Sequence, residues 1–239
     1  MASWFSKVAG VASIIMSEKA ILDGLVDDLA ADPEIDEFIV VTNHKFAEHF
    51  VRWGETKAQK ITVVDDGTST NETRLGAVKD IQFALEQAGV DDDVFVMAGD
   101  NVLDFSLCRF IEFAKARGTS CVMCHEEREL KKQQKTAIIT VDEQGFITSY
   151  EEKPKVPKGH LAVPPFYFYR REDVKRIPEA LAAGCDADAP GSFAAWLSCQ
   201  VPMHAFVMPG KRYDVGDVES YREVCKVFEV TRSSESMCP

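Results

Sequence analysis

Short apolar runs alternate with amphipathic stretches through the first half of the chain. Four of these runs predict strands, at 37–41, 61–65, 94–97 and 120–124. Apolar positions at helical spacing predict helices between and after them, at 44–53, from a capping box at 69–72 to Gly89, and from 107 to Gly118. This alternation of strand and helix predicts a mainly parallel, doubly wound sheet.

The second half of the chain has a different pattern. Residues 136–154 predict a β-hairpin, because two strand-like runs flank the turn at 143–145. Two further strands are predicted at 166–169 and 203–208, and two helices at 191–197 and 218–230. No internal repeat and no Pro- or Ser-rich linker divides the chain, so we expect one domain.

The N-terminal residues allow two interpretations. Six apolar residues at helical spacing would form an amphipathic helix: Trp4, Phe5, Val8, Val11, Ala12 and Ile15. Residues 11–16, VASIIM, would alternatively form a strand of the sheet. We favour the strand, because a gap in a central sheet leaves buried backbone groups without partners.

Composition and charge narrow the class of protein. The chain has 239 residues, is 46% hydrophobic and carries a net charge of −12, which argues against a nucleic-acid-binding surface. No apolar stretch approaches the roughly 18 residues of a membrane span, and the N-terminus lacks the pattern of a secretory signal, so we expect a cytoplasmic protein without membrane contact. The seven cysteines are scattered and odd in number, as is typical of reduced thiols.

A zinc site at Cys121, Cys124 and His125 is disfavoured by the strand pattern around these residues. Side chains three positions apart on a strand face opposite sides of the sheet. The sequence also offers no second pair of ligands at the spacing of a four-ligand zinc site.

Three charged clusters follow predicted strands, at Gly99-Asp100-Asn101, at Glu152-Lys153-Pro154 and at Tyr213-Asp214-Val215-Gly216. Ligands of open α/β sheets bind at the carboxyl ends of the strands. Two separated carboxylates and a lysine suit a metal-assisted phosphoryl or nucleotidyl transfer. Each cluster also has a simpler explanation: Asp100 would cap a helix, Lys153 would lie in a solvated turn, and Gly216 would serve a positive φ.

The order and spacing of these clusters resemble those of the sugar-1-phosphate nucleotidylyltransferases, the glucose-1-phosphate thymidylyl- and uridylyltransferase family. The resemblance runs from about residue 19 to 228. Besides the three clusters, it is carried by ILDGLVDDL (21–29), VVTNHKF (40–46), NETRLGAVKDI (71–81), GDNVLDFSL (99–107), SYEEKP (149–154), FYFYRRED (166–173) and DAPGSFAAWL (188–197).

This resemblance implies a Rossmann-like α/β fold with a doubly wound mixed sheet over 19–230, between an atypical segment 1–18 and a flexible tail 231–239. It implies that a sugar 1-phosphate attacks the α-phosphorus of a nucleoside triphosphate and pyrophosphate leaves. The implied site residues have separate roles: Asp100 and Asp214 would bind Mg²⁺, Lys153 the sugar phosphate, Glu152 the sugar hydroxyls, Leu75 and Gly76 the base, and Asn101 the substrate. The resemblance is also consistent with assembly of the chain into a homo-oligomer.

Several features depart from the family pattern. The family's first strand is followed by a glycine-rich loop that ends in Gly-Thr-Arg-Leu and cradles the triphosphate with backbone N–H groups. No such loop occurs here, and only about eighteen residues precede Lys19-Ala20-Ile21-Leu22, which matches a family segment beyond that loop. Two other positions differ, because Thr136-Ala137 replaces the usual Tyr-Gly and Pro164-Pro165 replaces a small polar pair.

Two hypotheses are consistent with this pattern. The chain is a nucleotidylyltransferase with an atypical nucleotide loop, or it is an inactive member that binds ligand as a regulator or subunit. A metal-dependent glycosyltransferase is disfavoured, because Asn101-Val102 follows Asp100 where an Asp-x-Asp motif would be expected.

Overall fold

The structure is a computed structural model, and it describes residues 15–16, 19–70, 72–215, 219–220, 222 and 224. In those residues the strands are β1 (Ile15–Met16), β2 (Lys19–Ala20), β3 (Phe38–Thr42), β4 (Ile61–Asp65), β5 (Val94–Met97), β6 (Asn101–Leu103), β7 (Cys121–Glu126), β8 (Ala137–Val141), β9 (Ile147–Glu152), β10 (Leu161–Val163), β11 (Phe166–Tyr169), β12 (His204–Val207) and β13 (Arg212–Asp214). The helices are α1 (Ile21–Leu29), α2 (His44–Gly54), α3 (Ala77–Ala88), α4 (Cys108–Arg117), α5 (Leu130–Gln133), α6 (Arg171–Val174), α7 (Ile177–Ala182) and α8 (Pro190–Ser198).

The largest sheet has seven strands in the order β5-β11-β7-β10-β8-β9, with β12 pairing β7. Within it only the β12–β7 pair is parallel, and the other five pairs are antiparallel. The fold is therefore α/β with a mixed sheet, and the prediction of a mainly parallel sheet is wrong. The physical reason is the predicted hairpin, β8–β9, and the return strands β10 and β11, which insert antiparallel neighbours between parallel ones.

Three two-stranded sheets accompany the large one among the described residues. Strands β3 and β4 form a parallel pair, and β6 and β13 form an antiparallel pair. A short antiparallel pair, β1 and β2, precedes α1. The last two residues of the predicted strand at 11–16 do form a strand, but they pair with Lys19 and Ala20 and not with the large sheet. The rest of that segment, and most of the alternative helix, lie outside the described residues.

Helices cover both faces of the large sheet. On one side α3, α7 and α8 contribute to a core with Phe193 and Tyr169, and on the other α1 and α4 contribute to a core with Phe110 and Phe166. Strand β7 supplies both cores: Cys124 belongs to the first and Cys121 to the second. The two thiols therefore face opposite sides of the sheet, as their spacing predicts, and among the described residues no group of three or more metal-ligating side chains is assembled.

The predicted capping box at 69–72 does not start a helix. Residues 69–70 and 72–76 are not helical, and α3 begins at Ala77 with Gly76 as its N-cap. Gly76 has φ of 96°, which no α-helical residue adopts, and the Val78 N–H donates to the carbonyl of Ala187 at 2.9 Å. A contact distant in sequence therefore sets the start of this helix.

Candidate functional site

Asp100 lies in the short buried turn that joins β5 to β6, and Asn101 is the first residue of β6. Asp100 is 3% exposed and Asn101 is fully buried. The Asn101 amide nitrogen donates to the carbonyl of Ala98 at 3.0 Å and to Asp100 Oδ1 at 2.8 Å. The Asp100 side chain is thus fixed by its neighbour and does not cap a helix with a side-chain bond, since α4 begins later, at Cys108.

The small β6–β13 sheet brings Asp214 beside this turn. Its register places Asp214 opposite Asn101, and the Val215 N–H donates to the Asp100 carbonyl at 2.9 Å. The Asp214 side chain is mostly exposed, whereas that of Asp100 is buried. Two carboxylates that are 114 residues apart in sequence therefore lie side by side, one facing the interior and one facing solvent.

Arg212 is the cation of this cluster, and the sequence patterns did not indicate it. One guanidinium nitrogen donates to Asn101 Oδ1, and another lies 3.5 Å from Asp214 Oδ2. Arg212 and Asp214 are two apart on β13, so their side chains lie on the same face of the strand. That spacing, Arg-Tyr-Asp, is the pattern from which Arg212 could have been predicted.

Ionisation of the Asp100 carboxyl group is unfavourable in this buried position. Burial, and secondarily the negative charge of Asp214, raises the pKa of Asp100 from 3.8 to about 7. The Arg212 charge and a backbone hydrogen bond act in the opposite direction. A carboxylate that loses much of its hydration and faces a second carboxylate favours a bound cation.

The residues present fit Mg²⁺. Magnesium keeps several waters and is held in proteins by one or two carboxylates together with substrate phosphates. Asp100 and Asp214 supply two such carboxylates at a sheet edge, and the exposure of Asp214 leaves that side open to water and substrate. The fit does not extend to a closed structural site, which needs a fuller set of protein ligands.

The raised pKa of Asp100 predicts how the stability of the metal-free fold depends on pH. The folded pKa of about 7 exceeds the ordinary value of 3.8, so the contribution of Asp100 to stability is present below about pH 4 and is lost as the pH rises through 7. Asp100→Asn stays neutral and should gain stability relative to the unmodified protein between pH 5 and 8. Urea midpoints of both proteins in a chelator measure this, and an identical pH dependence for the two would contradict it.

Glu152 and Lys153 end the β8–β9 hairpin. Glu152 pairs with Ala137 in the ladder and is half-buried, and burial raises its pKa while Lys153 acts in the opposite direction. Lys153 has φ of 47°, an uncommon conformation for a residue with a side chain, and its N–H donates to the Thr136 carbonyl at 3.1 Å. The Lys153 side chain is exposed and accessible to an anionic ligand.

The Glu152 carboxylate lies against the first turn of α8. A Cβ on Gly191 would be 2.5 Å from Glu152 Oε2, 3.1 Å from the Tyr150 hydroxyl and 3.4 Å from the Tyr167 hydroxyl. Gly191 therefore lets three polar side chains approach one point of the helix backbone. Tyr150, Tyr167 and Gly191 are further candidate residues, which the motifs contained but did not single out.

The buried Tyr167 phenol is influenced by the charges of both Glu152 and Arg212. Burial and the negative charge of Glu152 raise the pKa of the Tyr167 phenol, and the positive charge of Arg212 opposes that shift. Tyr167 thus lies in the field of both Glu152 and Arg212.

Leu75 and Gly76 lie beside the segment that leads into α8. A Cβ on Gly76 would be 2.6 Å from the carbonyl oxygen of Ala187, and Arg74 forms an ion pair with Asp188. Gly76 is buried and Leu75 is half-buried. These contacts place Gly76 against the segment that leads into α8.

No helix in the described part of the chain has both the length and the apolar character to cross a membrane. A likeness to solved structures supports the α/β architecture. A UDP-glucose pyrophosphorylase complexed with UDP-glucose matches with a TM-score of 0.75 and 17% identity, over 92% of this chain and 90% of the other. The apo form of a UDP-glucose pyrophosphorylase matches with a TM-score of 0.76 over the same shares.

Curated relatives match at the level of sequence. A glucose-1-phosphate adenylyltransferase of Clostridium acetobutylicum is 26% identical over 135 residues, which are 54% of this chain and 35% of the relative. A protein of the same name in Fervidobacterium nodosum is 23% identical over 71% of this chain and 41% of the relative. The chain thus spans less than half the length of these relatives. A sequence model of the family described as nucleotidyl transferase matches residues 12–229, and the chain belongs to that family.

Proposed function

We propose that this protein transfers a nucleotidyl group from a nucleoside triphosphate to a sugar 1-phosphate and releases pyrophosphate, with Mg²⁺ as its cofactor. The observation that supports the proposal is the β6–β13 ladder, in which Asp214 lies opposite Asn101 and the Val215 N–H donates to the carbonyl of the buried Asp100. Such a transfer requires a metal site and a sugar-phosphate site to adjoin, because its catalysis is mostly positioning and charge stabilisation.

The names of the relatives suggest the first substrates to test. Two are named for adenylyl transfer to glucose 1-phosphate, and two structures are named for UDP-glucose. All four names contain glucose, but they differ in the nucleotide base. We therefore infer that the acceptor is a hexose 1-phosphate such as glucose 1-phosphate, and that the base must be found by trial.

Each residue has a part in this mechanism. Asp100 and Asp214 would hold Mg²⁺, which neutralises charge on the phosphates when it is bound. Arg212 donates to Asn101 and lies against Asp214, so it would keep the metal ligands in place. The exposed Lys153 would bind the sugar phosphate, and Asn101 would contact substrate from its buried position at the start of β6.

The sugar and base would be bound further along the site. Glu152, beside the Tyr150 and Tyr167 hydroxyls at Gly191, would accept hydrogen bonds from sugar hydroxyls. Leu75 and Gly76, beside the 187–188 segment that leads into α8, would meet the base through their backbone amide and carbonyl groups. The sugar-phosphate oxygen then attacks the α-phosphorus in line, and pyrophosphate departs.

A pyrophosphate-release assay tests the proposal. The protein is incubated with Mg²⁺, each common nucleoside triphosphate and a panel of hexose 1-phosphates. We expect release with at least one pair and none without Mg²⁺. A well-folded sample that releases no pyrophosphate with any pair, yet binds a nucleotide or sugar phosphate by calorimetry, would refute the enzyme and support the ligand-binding alternative.

Gly191→Ala should weaken sugar binding selectively. The added methyl would overlap the present position of Glu152 Oε2 and push that carboxylate away from the hydroxyls it faces. We expect the KM for the sugar 1-phosphate to rise about tenfold, as one lost charged hydrogen bond would cause. The KM for the nucleotide should change little. Ala194 is buried on the same helix, and Ala194→Gly is the control for a general disturbance of α8.

We also infer that the protein acts in the cytoplasm. The five cysteines in the described part of the chain are all free thiols, as is usual in reducing compartments. The proposed nucleoside triphosphate substrate fits the same location. Labelling of the thiols in intact cells before and after a reductant would test it.

A further inference from the structure

Two segments of this acidic protein are strongly basic. Residues 128–135 and 153–158 together contain seven basic residues and one acidic residue, Glu129. All seven basic residues are exposed: Arg128, Lys131, Lys132, Lys135, Lys153, Lys155 and Lys158. The whole chain carries a net charge of −12, so the charge of these segments is opposite in sign to that of the molecule.

Hydrogen bonds hold the two basic segments side by side. The Lys153 N–H donates to the Thr136 carbonyl at 3.1 Å. The Gln134 side-chain amide donates to the Lys155 carbonyl at 2.8 Å. Two prolines within 153–158 restrict the backbone of the second segment further. The basic side chains therefore project from one surface whose backbone is held in place.

Neighbouring carboxylates neutralise three of the seven basic residues. The ion pairs, at 2.8–3.1 Å, join Arg128 to Glu126, Lys132 to Glu129 and Lys158 to Glu151. The remaining four form no ion pair with any carboxylate in the part of the chain that the structure describes: Lys131, Lys135, Lys153 and Lys155. We call these four residues the lysine surface. Ammonium groups without a carboxylate partner remain available to attract an anion from solution.

The lysine surface adjoins Glu152. Lys153 directly follows Glu152, the last residue of β9, and Glu152 pairs with Ala137 in the ladder. The Glu152 carboxylate lies against Gly191, where the two tyrosine hydroxyls also approach. Positive charge that suits a phosphate group is thus continuous with polar side chains that suit hydroxyl groups. A phosphate monoester of a sugar has both kinds of group.

We propose that Lys131, Lys135 and Lys155 draw the sugar 1-phosphate toward Lys153 by long-range electrostatic attraction. This inference rests on the proposed function, which supplies the phosphate monoester. A surface of one sign raises the local concentration and the association rate of a ligand of opposite sign, and salt weakens the effect. Because the attraction acts before the ligand is bound, it strengthens binding without changing the rate of the bound state.

A triple variant removes the three outer charges and keeps Lys153: Lys131→Gln, Lys135→Gln and Lys155→Gln. Its matched control removes the same amount of charge from exposed positions on α2 and α4: Lys45→Gln, Arg52→Gln and Arg109→Gln. The two variants have equal net charge, so any difference between them reports the position of the charges.

Titration of glucose 1-phosphate followed by ³¹P NMR measures its dissociation constant whether or not the protein turns over. At an ionic strength of about 20 mM, where the Debye length is about 20 Å, we expect the lysine-surface variant to bind at least about fivefold more weakly than the unmodified protein. At about 0.5 M salt the difference should fall below about twofold, because the Debye length is then about 4 Å. The control variant should stay within about twofold at both ionic strengths, and kcat should be the same for all three proteins.

The possible results separate this inference from the proposed function. Equal weakening in the two triple variants would overturn the role of the lysine surface, even if pyrophosphate is released. Binding that does not depend on salt, or no binding of glucose 1-phosphate or another hexose 1-phosphate at low ionic strength, would also overturn it. Salt-sensitive binding that only the lysine-surface variant weakens, in a protein that releases no pyrophosphate, would support the lysine surface and refute the proposed transfer alone.

Discussion

Asp100→Asn is expected to lower kcat for pyrophosphate release about a thousandfold or more. Asparagine keeps the size of the side chain and its contact with Asn101, but it removes the charge that would hold Mg²⁺. A bound metal ion stabilises developing charge by several kcal/mol, and about 4 kcal/mol corresponds to a thousandfold in rate. Steady-state release at saturating substrates and Mg²⁺ measures the effect. Unchanged turnover would remove Asp100 from the metal site.

Two comparisons separate this loss from damage to the fold. Glu112→Gln makes the same chemical change on an exposed face of α4 and should retain full activity. The metal-free Asp100→Asn protein should be at least as stable as the unmodified one at pH 8, because the substitution removes a buried carboxylate with a raised pKa. An inactive but stable variant would thus locate the defect in metal binding.

Gly76→Ala is expected to destabilise the protein by about 2 kcal/mol or more and to impair nucleotide binding. Gly76 has φ of 96°, which is unfavourable for a residue with a Cβ, and the new methyl would be 2.6 Å from the Ala187 carbonyl oxygen. Since that obstacle is backbone, it cannot rotate away. Urea unfolding measures the stability, and the KM for the nucleotide should rise while that for the sugar 1-phosphate changes less.

Gly89→Ala is the matched control for this prediction. Gly89 also has a positive φ, 66°, but no atom lies within 4 Å of the position that a Cβ would take. It should therefore lose only the conformational part, about 1 kcal/mol, and leave both KM values unchanged. Equal losses for the two variants would mean that the close approach of 76 to 187 contributes nothing.

Local pattern predicted strands β3, β4, β5, β7, β11 and β12, helices α2, α3, α4 and α8, and the hairpin β8–β9, but not β6, β10, β13, α1, α5 or α7. Helix α4 ends at Gly118 in the left-handed conformation, and β8 and β9 flank the predicted turn. These elements follow from the periodicity of apolar side chains and from turn residues, which act over a few positions. The capping box at 69–72 failed for the opposite reason, because the start of α3 is set by Ala187, more than a hundred residues away.

The order of Asp100, Glu152, Lys153 and Asp214 in the sequence was sufficient to suggest one site, but not to assemble it. Only the β6–β13 register places Asp214 beside Asp100, and only the fold brings Arg212 onto Asn101 and Glu152 onto Gly191. Gly76 contacts the α8 segment in the same way. Such contacts depend on which strands become neighbours, and a single sequence contains no local pattern for that choice.

The sequence by itself determined the apolar and polar faces of each element, the acidic balance and the family to which its motifs belong. The tertiary structure decided that the sheet is mixed and that two carboxylates of unlike exposure adjoin. The physical reason is the separation in sequence between the residues that determine each feature. Burial patterns and turns are set by neighbouring residues, whereas strand pairing, carboxylate desolvation and cavities arise from segments that meet only when the whole chain has folded.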